Sequence, residues 1–179
     1  SDAALINNVI ADNTTSASTG SGVAIHRSAP HLLHNTIARN GGNQGYGVTV
    51  ASYLGDSSSA VLTNTILSGH KWGIYVSSGN TATLESTLWD NTLDWFGPGT
   101  IVTGTHNTWG DPLFAADGYH LMNSSAAIDV GVSAGVVADI DGQPRPNGLG
   151  YDVGADEFSP LFADGFETGD TSAWSGVTP

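Results

Sequence analysis

A stretch that occurs four times constrains this chain more than any other feature. The copies share the pattern apolar, any residue, Asn, any residue, apolar, followed by a polar turn, and the fourth copy has Ser in place of Asn. The copies are Ile6–Asn13, Leu33–Asn40, Leu62–Gly69 and Leu84–Asn91. Their central positions are Asn8, Asn35, Asn64 and Ser86, which are 27, 29 and 22 residues apart. A repeat period in this range predicts a solenoid.

A second signal, a glycine that precedes a short β-branched run, repeats in phase with the first. It begins at Gly22, Gly47, Gly73 and Gly99, with spacings of 25, 26 and 26 residues. Strands that recur at one period stack in parallel about 4.8 Å apart, and parallel crossovers are nearly always right-handed. The sequence therefore predicts an all-β fold, a right-handed parallel β-helix of about 4–5 coils with a C-terminal cap and a tail.

Aligning the copies predicts which residues stack on one another. Four apolar ladders are expected: Ile6, Leu33, Leu62 and Leu84; Ile10, Ile37, Ile66 and Leu88; Val23, Val48, Ile74 and Thr100; Ile25, Val50, Val76 and Val102. The structural ladder Asn8, Asn35, Asn64 and Ser86 is predicted to form a bend, because Asn tolerates the left-handed conformation. Turn chemistry is also expected in the column Asn13, Asn40, Gly69 and Asn91.

Composition excludes some partners. The net charge is -13, with only 4 Lys and Arg against 17 acidic residues. Such a surface repels phosphate backbones, so we expect no nucleic-acid binding. No apolar run reaches the roughly 18 residues of a transmembrane helix, so we expect no membrane insertion. There is no cysteine for a disulfide or a thiolate site, and the Ser-, Thr-, Asn- and Gly-rich surface favours a secreted β-protein.

The repeats divide the chain into three parts. Residues 1–110 are predicted to form the coils, 111–158 a cap over the terminal strand edge, and 159–179 a tail. Because Ser1 lies five residues before the first repeat, we expect a processed or truncated product whose first coil is uncapped. The tail carries Phe162, Phe166 and Trp174, which are predicted to dock on the coils or on a neighbouring molecule.

The C-terminal part resembles a known group of proteins. The motifs DPLF, YHL, SSAAIDVG, DIDGQPRP and DVGADE follow Asn-rich coils. This order resembles secreted bacterial right-handed parallel β-helix repeat proteins, near the choice-of-anchor and polymorphic outer-membrane proteins, in their C-terminal portion. The segment DGFETGDTSAWS is similar to one near the ends of many secreted bacterial proteins. The resemblance implies an extracellular or cell-surface location and this fold, and no single activity.

Candidate catalytic groups are few. Uronan lyases on this fold need a basic residue as proton acceptor, and the chain offers Arg27, Arg39, Lys71 and Arg145. Lys71 lies beside His70 and Trp72, while Arg39 falls in a turn column. Glycosidases need paired carboxylates, and Glu85, Asp90 and Asp94 lie in one coil without acidic partners in the coil below. No convincing constellation results, which favours a non-catalytic protein.

A metal site is the other chemical candidate. The six histidines show no metal-binding spacing. Asp139, Asp141, Asp152 and Asp156 supply oxygen ligands of the kind that Ca²⁺ prefers. The alternative is that these residues make turns and that Arg145 pairs with one carboxylate. No other cofactor is expected.

These features favour an extracellular structural or adhesive β-helix that assembles head to tail with copies of itself into a filament. An open first coil exposes strand edges that invite pairing. A C-terminal fragment of a polysaccharide lyase or glycoside hydrolase is one alternative. A carbohydrate-binding module that uses Trp72, Trp89 and Trp95 is another, and polysaccharide is then the expected partner.

Overall fold

The computed structural model describes residues 2–16, 22–42 and 45–159. Within them the chain forms short strands and no helix. The strands are β1 (Ala4–Ile6), β2 (Val9–Ala11), β3 (Thr14–Thr15), β4 (Val23–His26), β5 (His31–Leu33), β6 (Thr36–Ala38), β7 (Gly41–Gly42), β8 (Tyr46–Ala51), β9 (Ser59–Ser68), β10 (Trp72–Val76), β11 (Thr81–Asp90), β12 (Leu93–Phe96), β13 (Thr100–Thr103) and β14 (Thr108–Trp109). The described part of the chain has no helix of the length and apolarity that crossing a membrane requires.

The strands stack in parallel on successive levels of a solenoid. One sheet runs β1-β5-β9-β11-β13. Three further strands belong to the same sheet, in which β2 pairs with β6, β6 with β9 and β14 with β11. A second sheet runs β4-β8-β10-β12, and β3 pairs with β7. Strands that are one repeat apart in the sequence are neighbours in each sheet, as expected for a solenoid. The predicted all-β parallel β-helix is confirmed.

The core of the first sheet differs by one residue from the predicted ladders. Leu5, Leu32, Leu62 and Leu84 share one column, and Ile10, Ile37, Leu67 and Trp89 share another. Ile6 is instead 45% exposed. The second and third copies pair at an offset of 30 residues, as in Leu32 with Leu62, and a one-residue slip moves a side chain to the opposite face. The predicted ladders that begin at Ile6 and Ile10 are therefore wrong in register.

The second sheet follows the prediction up to its last level. Val23, Val48 and Ile74 form one column, and Ile25, Val50 and Val76 form the next. The fourth member of the first column is Trp95, which pairs with Ile74. Thr100 and Val102 pair with Thr81 and Thr83 in the other sheet, so the prediction for these two residues is wrong.

The bend lies one residue earlier than predicted in the first two coils. Asn7, His34, Asn64 and Ser86 form its column, with φ values of 54°, 50°, 50° and 48°. Asn8 and Asn35 follow the bend, so the predicted ladder Asn8, Asn35, Asn64 and Ser86 is split between two columns. A second bend contains Asp12, Arg39 and Gly69, also at positive φ. The column predicted from Asn13 and Asn40 is displaced in the same way.

Four of the bend crossings between successive coils are bridged by a hydrogen-bond arrangement that we call the asparagine clamp. The side-chain oxygen of an Asn accepts a hydrogen bond from a backbone N–H of the preceding coil. The side-chain nitrogen of the same Asn donates to a backbone carbonyl of that coil, three residues earlier than the N–H. The N–H and carbonyl partners are Asn8 and Leu5 for Asn35, Asn13 and Ile10 for Asn40, His70 and Leu67 for Asn91, and Thr87 and Leu84 for Asn107. The clamp replaces backbone pairing where the left-handed residue turns the strand, which explains why Asn recurs at this position.

The C-terminal segment, residues 111–158, packs along the side of the solenoid. Ile66 and Leu88 on the outer face of the first sheet contact Leu121, Ala127 and Val153. The segment also bonds to several coils: Asn7 Nδ2 donates to the carbonyl of Ala138, Ala155 N–H donates to Thr36 Oγ1, and Gly154 N–H donates to the carbonyl of Asn64. The predicted cap over the terminal strand edge is therefore corrected to a covering of the sheet's flank. The apolar tail residues Phe162, Phe166 and Trp174 lie outside the described residues.

Candidate binding cleft at the C-terminal end of the solenoid

The last level of the solenoid leaves two core-facing indoles uncovered. Trp95 stands above Ile74, and Trp109 stands above Trp89. Trp89 is 2% exposed, whereas Trp95 is 45% and Trp109 is 59% exposed. The side-chain columns that contain Ile74 and Trp89 are therefore buried in the lower coils and exposed to solvent at this end.

The space between these indoles is a cleft of about 240 Å³, which we call the aromatic cleft. Its lining residues are Trp89, Trp95, Thr103, Gly104, Thr105, Asn107 and Trp109. Trp89 and Trp95 meet edge to face, with ring centroids 5.8 Å apart and planes at 70°. Trp109 Nε1 donates to Asp94 Oδ2 at 2.7 Å, which fixes one wall of the cleft.

A separate aromatic group is formed by residues of β10 and β12. The ring centroids of Trp72 and Phe96 are 4.5 Å apart, and those of Tyr75 and Phe96 are 5.9 Å apart. Of the three predicted carbohydrate residues, Trp89 and Trp95 line the cleft and Trp72 does not. Trp109 was not among them, although the sequence places it two residues after Asn107, as it places Ile37 two residues after Asn35.

The acidic residues of this coil bond to three different partners. Glu85 Oε1 lies 2.5 Å from His106 Nδ1, Asp94 accepts from the Trp109 indole, and Asp90 accepts from Ser68 Oγ at 2.7 Å. Each of these three carboxylates is thus held by a different partner.

The basic residues are equally dispersed. Arg27 pairs with Asp56 at 2.7 Å, Arg39 with Asp12 at 2.8 Å, and Arg145 is buried. Lys71 lines a separate open groove of about 500 Å³ with Gly69, His70, Asp90, Asn91 and Thr92. His70 is a poor base there, because burial lowers its pKa and its Nδ1 is bonded to Asn91.

The four aspartates proposed for calcium fall into two groups. Asp139 accepts backbone N–H bonds from Asp141, Gln143 and Glu157. Asp152 accepts from Asp129 and Phe158, and burial raises its pKa to about 7. These two carboxylates make turns, as the alternative interpretation expected, and the expected pairing of Arg145 is with Glu157.

The other two, Asp141 and Asp156, meet at His120. One ligand atom from each of these three residues lies within 4.8 Å of the others. The sequence reasoning missed His120 because histidines were searched for spacing to other histidines. The motif YHL holds it, and only the fold brings it to Asp141.

The aromatic cleft is the site with the most distinctive chemistry. Concave sites with apolar aromatic walls and a few polar groups at the rim are typical of small-molecule binding. Flat indoles suit a ring with apolar faces, and Thr103 and Thr105 place hydroxyl-bearing side chains beside it. Comparison with known proteins finds no matching family model, no matching curated protein and no matching solved structure.

Proposed function

We propose that this chain is a non-catalytic, extracellular bacterial β-solenoid that binds a carbohydrate chain in the aromatic cleft. The observation that carries the proposal is the pair of exposed indoles, Trp95 and Trp109, above the buried Trp89. The motif resemblance to secreted bacterial β-helix proteins supports the location. A surface poor in charge and rich in Ser, Thr, Asn and Gly supports it as well.

A sugar fits the cleft by its chemistry. A pyranose ring has apolar C–H faces for the indoles and hydroxyl groups for the rim. The cleft has room for about one sugar ring, and its open side lets a chain continue outward. Because the net charge is -13 and Asp94 is bonded to the cleft residue Trp109, uronates are repelled. The ligand class is therefore neutral polysaccharide.

The test is binding to neutral and uronate polysaccharides by affinity electrophoresis and calorimetry. Trp95→Ala and Trp109→Ala are each expected to weaken binding at least about tenfold, the size of an aromatic hot-spot loss. Trp72→Ala is the matched control, because Trp72 contacts Phe96 outside the cleft. Absence of binding by the unaltered protein, or an equal loss in Trp72→Ala, contradicts the proposal. Release of reducing ends or unsaturated products would instead support the enzyme-fragment alternative.

End-to-end self-association is a second candidate, and the uncovered indoles at the last level of the described solenoid favour it. Trp109 on the last level is 59% exposed, and Trp95 is 45% exposed. The first sheet ends at β13, on the fifth level, whereas the second ends at β12, on the fourth. Copies stacked as one continuous solenoid therefore need one more strand in the second sheet. We propose that the tail, residues 159–179, contributes to this association.

Sedimentation over a range of concentrations tests this candidate. Concentration-dependent association is expected, and it should be lost in Trp109→Lys and after deletion of residues 160–179. A monomer at all concentrations contradicts it. Both candidates use the same end of the solenoid, so each variant is measured in both assays. A variant that loses sugar binding but sediments as before supports the carbohydrate proposal alone.

A further inference from the structure

A histidine and three aspartates form a compact cluster in the C-terminal segment, away from the aromatic cleft. His120 Nδ1 lies 2.6 Å from Asp117 Oδ2, and His120 Nε2 lies 2.7 Å from Asp141 Oδ2. Asp156 completes the group and is only 4% exposed. We call these four residues the histidine–aspartate cluster.

The backbone holds each member of the cluster in place. Asp156 Oδ2 accepts the N–H of Leu121 at 2.7 Å, so it is tied to the residue next to His120. Asp117 Oδ1 accepts the N–H groups of Tyr119 and His120, each at 3.1 Å. The N–H of Asp141 donates to Asp139 at 2.9 Å. The side chains come from three separate turns, and a metal would take the place of the direct 2.7 Å contact between His120 Nε2 and Asp141 Oδ2 by moving these two atoms slightly apart.

Negative charge is in excess at this point. Asp117, Asp141 and Asp156 place three carboxylates around the single imidazole of His120. One imidazolium balances only one of the carboxylates around it. A divalent cation would balance two, which makes the cluster a favourable place for one.

We propose that His120 Nε2 and the carboxylates of Asp141 and Asp156 bind a borderline divalent transition metal, with Zn²⁺ as the reference ion. Asp117 on Nδ1 makes the carboxylate–histidine–metal arrangement that orients metal-binding imidazoles. Three protein ligands leave a coordination position open. A nitrogen ligand disfavours Ca²⁺ and favours Zn²⁺ or its neighbours, so the ion differs from the one expected from the aspartates alone.

Calorimetry on the chelator-treated, untagged chain tests the site with ZnCl₂ alone. We expect one ion bound per chain and a rise in Tm on binding. His120→Gln and Asp156→Asn should each weaken binding at least about tenfold, and Asp117→Asn about tenfold through loss of orientation. Asp156→Asn keeps an oxygen for the Leu121 N–H, and circular dichroism checks that each variant is folded.

A second histidine–carboxylate pair provides the matched control. His106 lies beside Glu85, and His106→Gln should leave Zn²⁺ binding unchanged. Co²⁺ should bind at the same stoichiometry, with absorption bands that report a nitrogen–oxygen ligand set. The proposal is overturned if no Zn²⁺ binds, if His120→Gln and Asp156→Asn bind as tightly as the unaltered chain, or if Ca²⁺ binds in preference.

Discussion

Asn35 holds Asn8 through its side-chain amide. Its Oδ1 accepts the N–H of Asn8 at 3.0 Å, and its Nδ2 donates to the carbonyl of Leu5 at 2.9 Å. Asn35 is fully buried, so no solvent can take over either bond. Backbone bonds flank the bend, from the N–H of Asn7 to the carbonyl of Leu33 and from the N–H of Thr36 to the carbonyl of Asn8, and the Asn35 amide adds two bonds between the same coils.

Replacing Asn35 by Ala should destabilise the protein by about 2–4 kcal/mol, because two backbone groups lose a buried partner. Asn8→Ala is the control, since Asn8 belongs to the first coil and its Nδ2 bonds only to Ile6 and to Asn35 itself. We expect Asn8→Ala to cost about 1 kcal/mol or less. Urea denaturation measures both values, and equal losses would contradict the clamp's role.

Gly47→Ala should destabilise the protein strongly, and Gly41→Ala should not. A Cβ on Gly47 would stand 2.7 Å from the carbonyl oxygen of Gly73 and 2.8 Å from the His70 ring. A Cβ on Gly41 meets only Thr14 Cγ2, at 3.9 Å. We expect a loss of at least about 2 kcal/mol for Gly47→Ala, from overpacking. Gly41→Ala should stay within about 1 kcal/mol of the parent. Thermal denaturation distinguishes the two, and a tolerated Gly47→Ala would refute the close approach.

The sequence predicted the solenoid because its two signals recur in phase. It could not predict the register between the second and third coils. The motif aligns Asn64 with Asn35, whereas the structure places Asn64 in the column of His34. Both Asn and His occupy that left-handed position, so residue type does not reveal the slip. Leu32 and Leu33 are both leucine, and only the packing decides which one enters the core.

His34→Asn should reduce the acid sensitivity of the protein. Burial, with the charge of Arg145 adding to it, lowers the pKa of His34 from 6.5 to about 3. Between these values the unfolded chain binds a proton that the native protein does not, so stability falls as pH falls. From pH 8 to pH 5 this one group accounts for about 2 kcal/mol. Asn suits the backbone there, since Asn64 holds the same left-handed conformation.

Urea denaturation at pH 8, 6.5 and 5 measures the effect as a difference between variants. Asp152 acts in the opposite sense, because burial raises its pKa to about 7 and stability then falls as pH rises from about 4 to 7. Comparing His34→Asn with the unaltered chain cancels that contribution. His31→Asn, at an exposed position, is the control. A pH dependence unchanged by His34→Asn contradicts the prediction.

The Arg145–Glu157 pair should show strong energetic coupling. Arg145 Nη1 lies 2.6 Å from Glu157 Oε2, and both side chains are fully buried. Removing one partner leaves a buried charge, so Arg145→Met and Glu157→Gln should each cost about 3–5 kcal/mol. The double variant should cost clearly less than the two losses added together. Strict additivity in a double-mutant cycle would show that the pair does not act as a unit.

The candidate sites were harder to anticipate than the fold. Trp89 and Trp95 were identifiable as aromatic residues of one coil, but Trp109 joins them only because β14 pairs with β11 at the last level of the described solenoid. His120 and Asp141 lie 21 residues apart in a segment without repeats, where no period relates one residue to another. Sites built from non-repeating turns depend on long-range packing, which residue spacing does not encode.

The C-terminal segment has a consequence for how the protein unfolds. A solenoid whose coils touch only their neighbours can fray from either end, one coil at a time. Here a single segment bonds to Asn7 on the first level, Thr36 on the second and Asn64 on the third, and packs on Leu88 on the fourth. All four coils contact this one segment, so a coil that detaches must also break its contacts with the segment. The chain is thus expected to unfold in one cooperative transition despite its repetitive architecture.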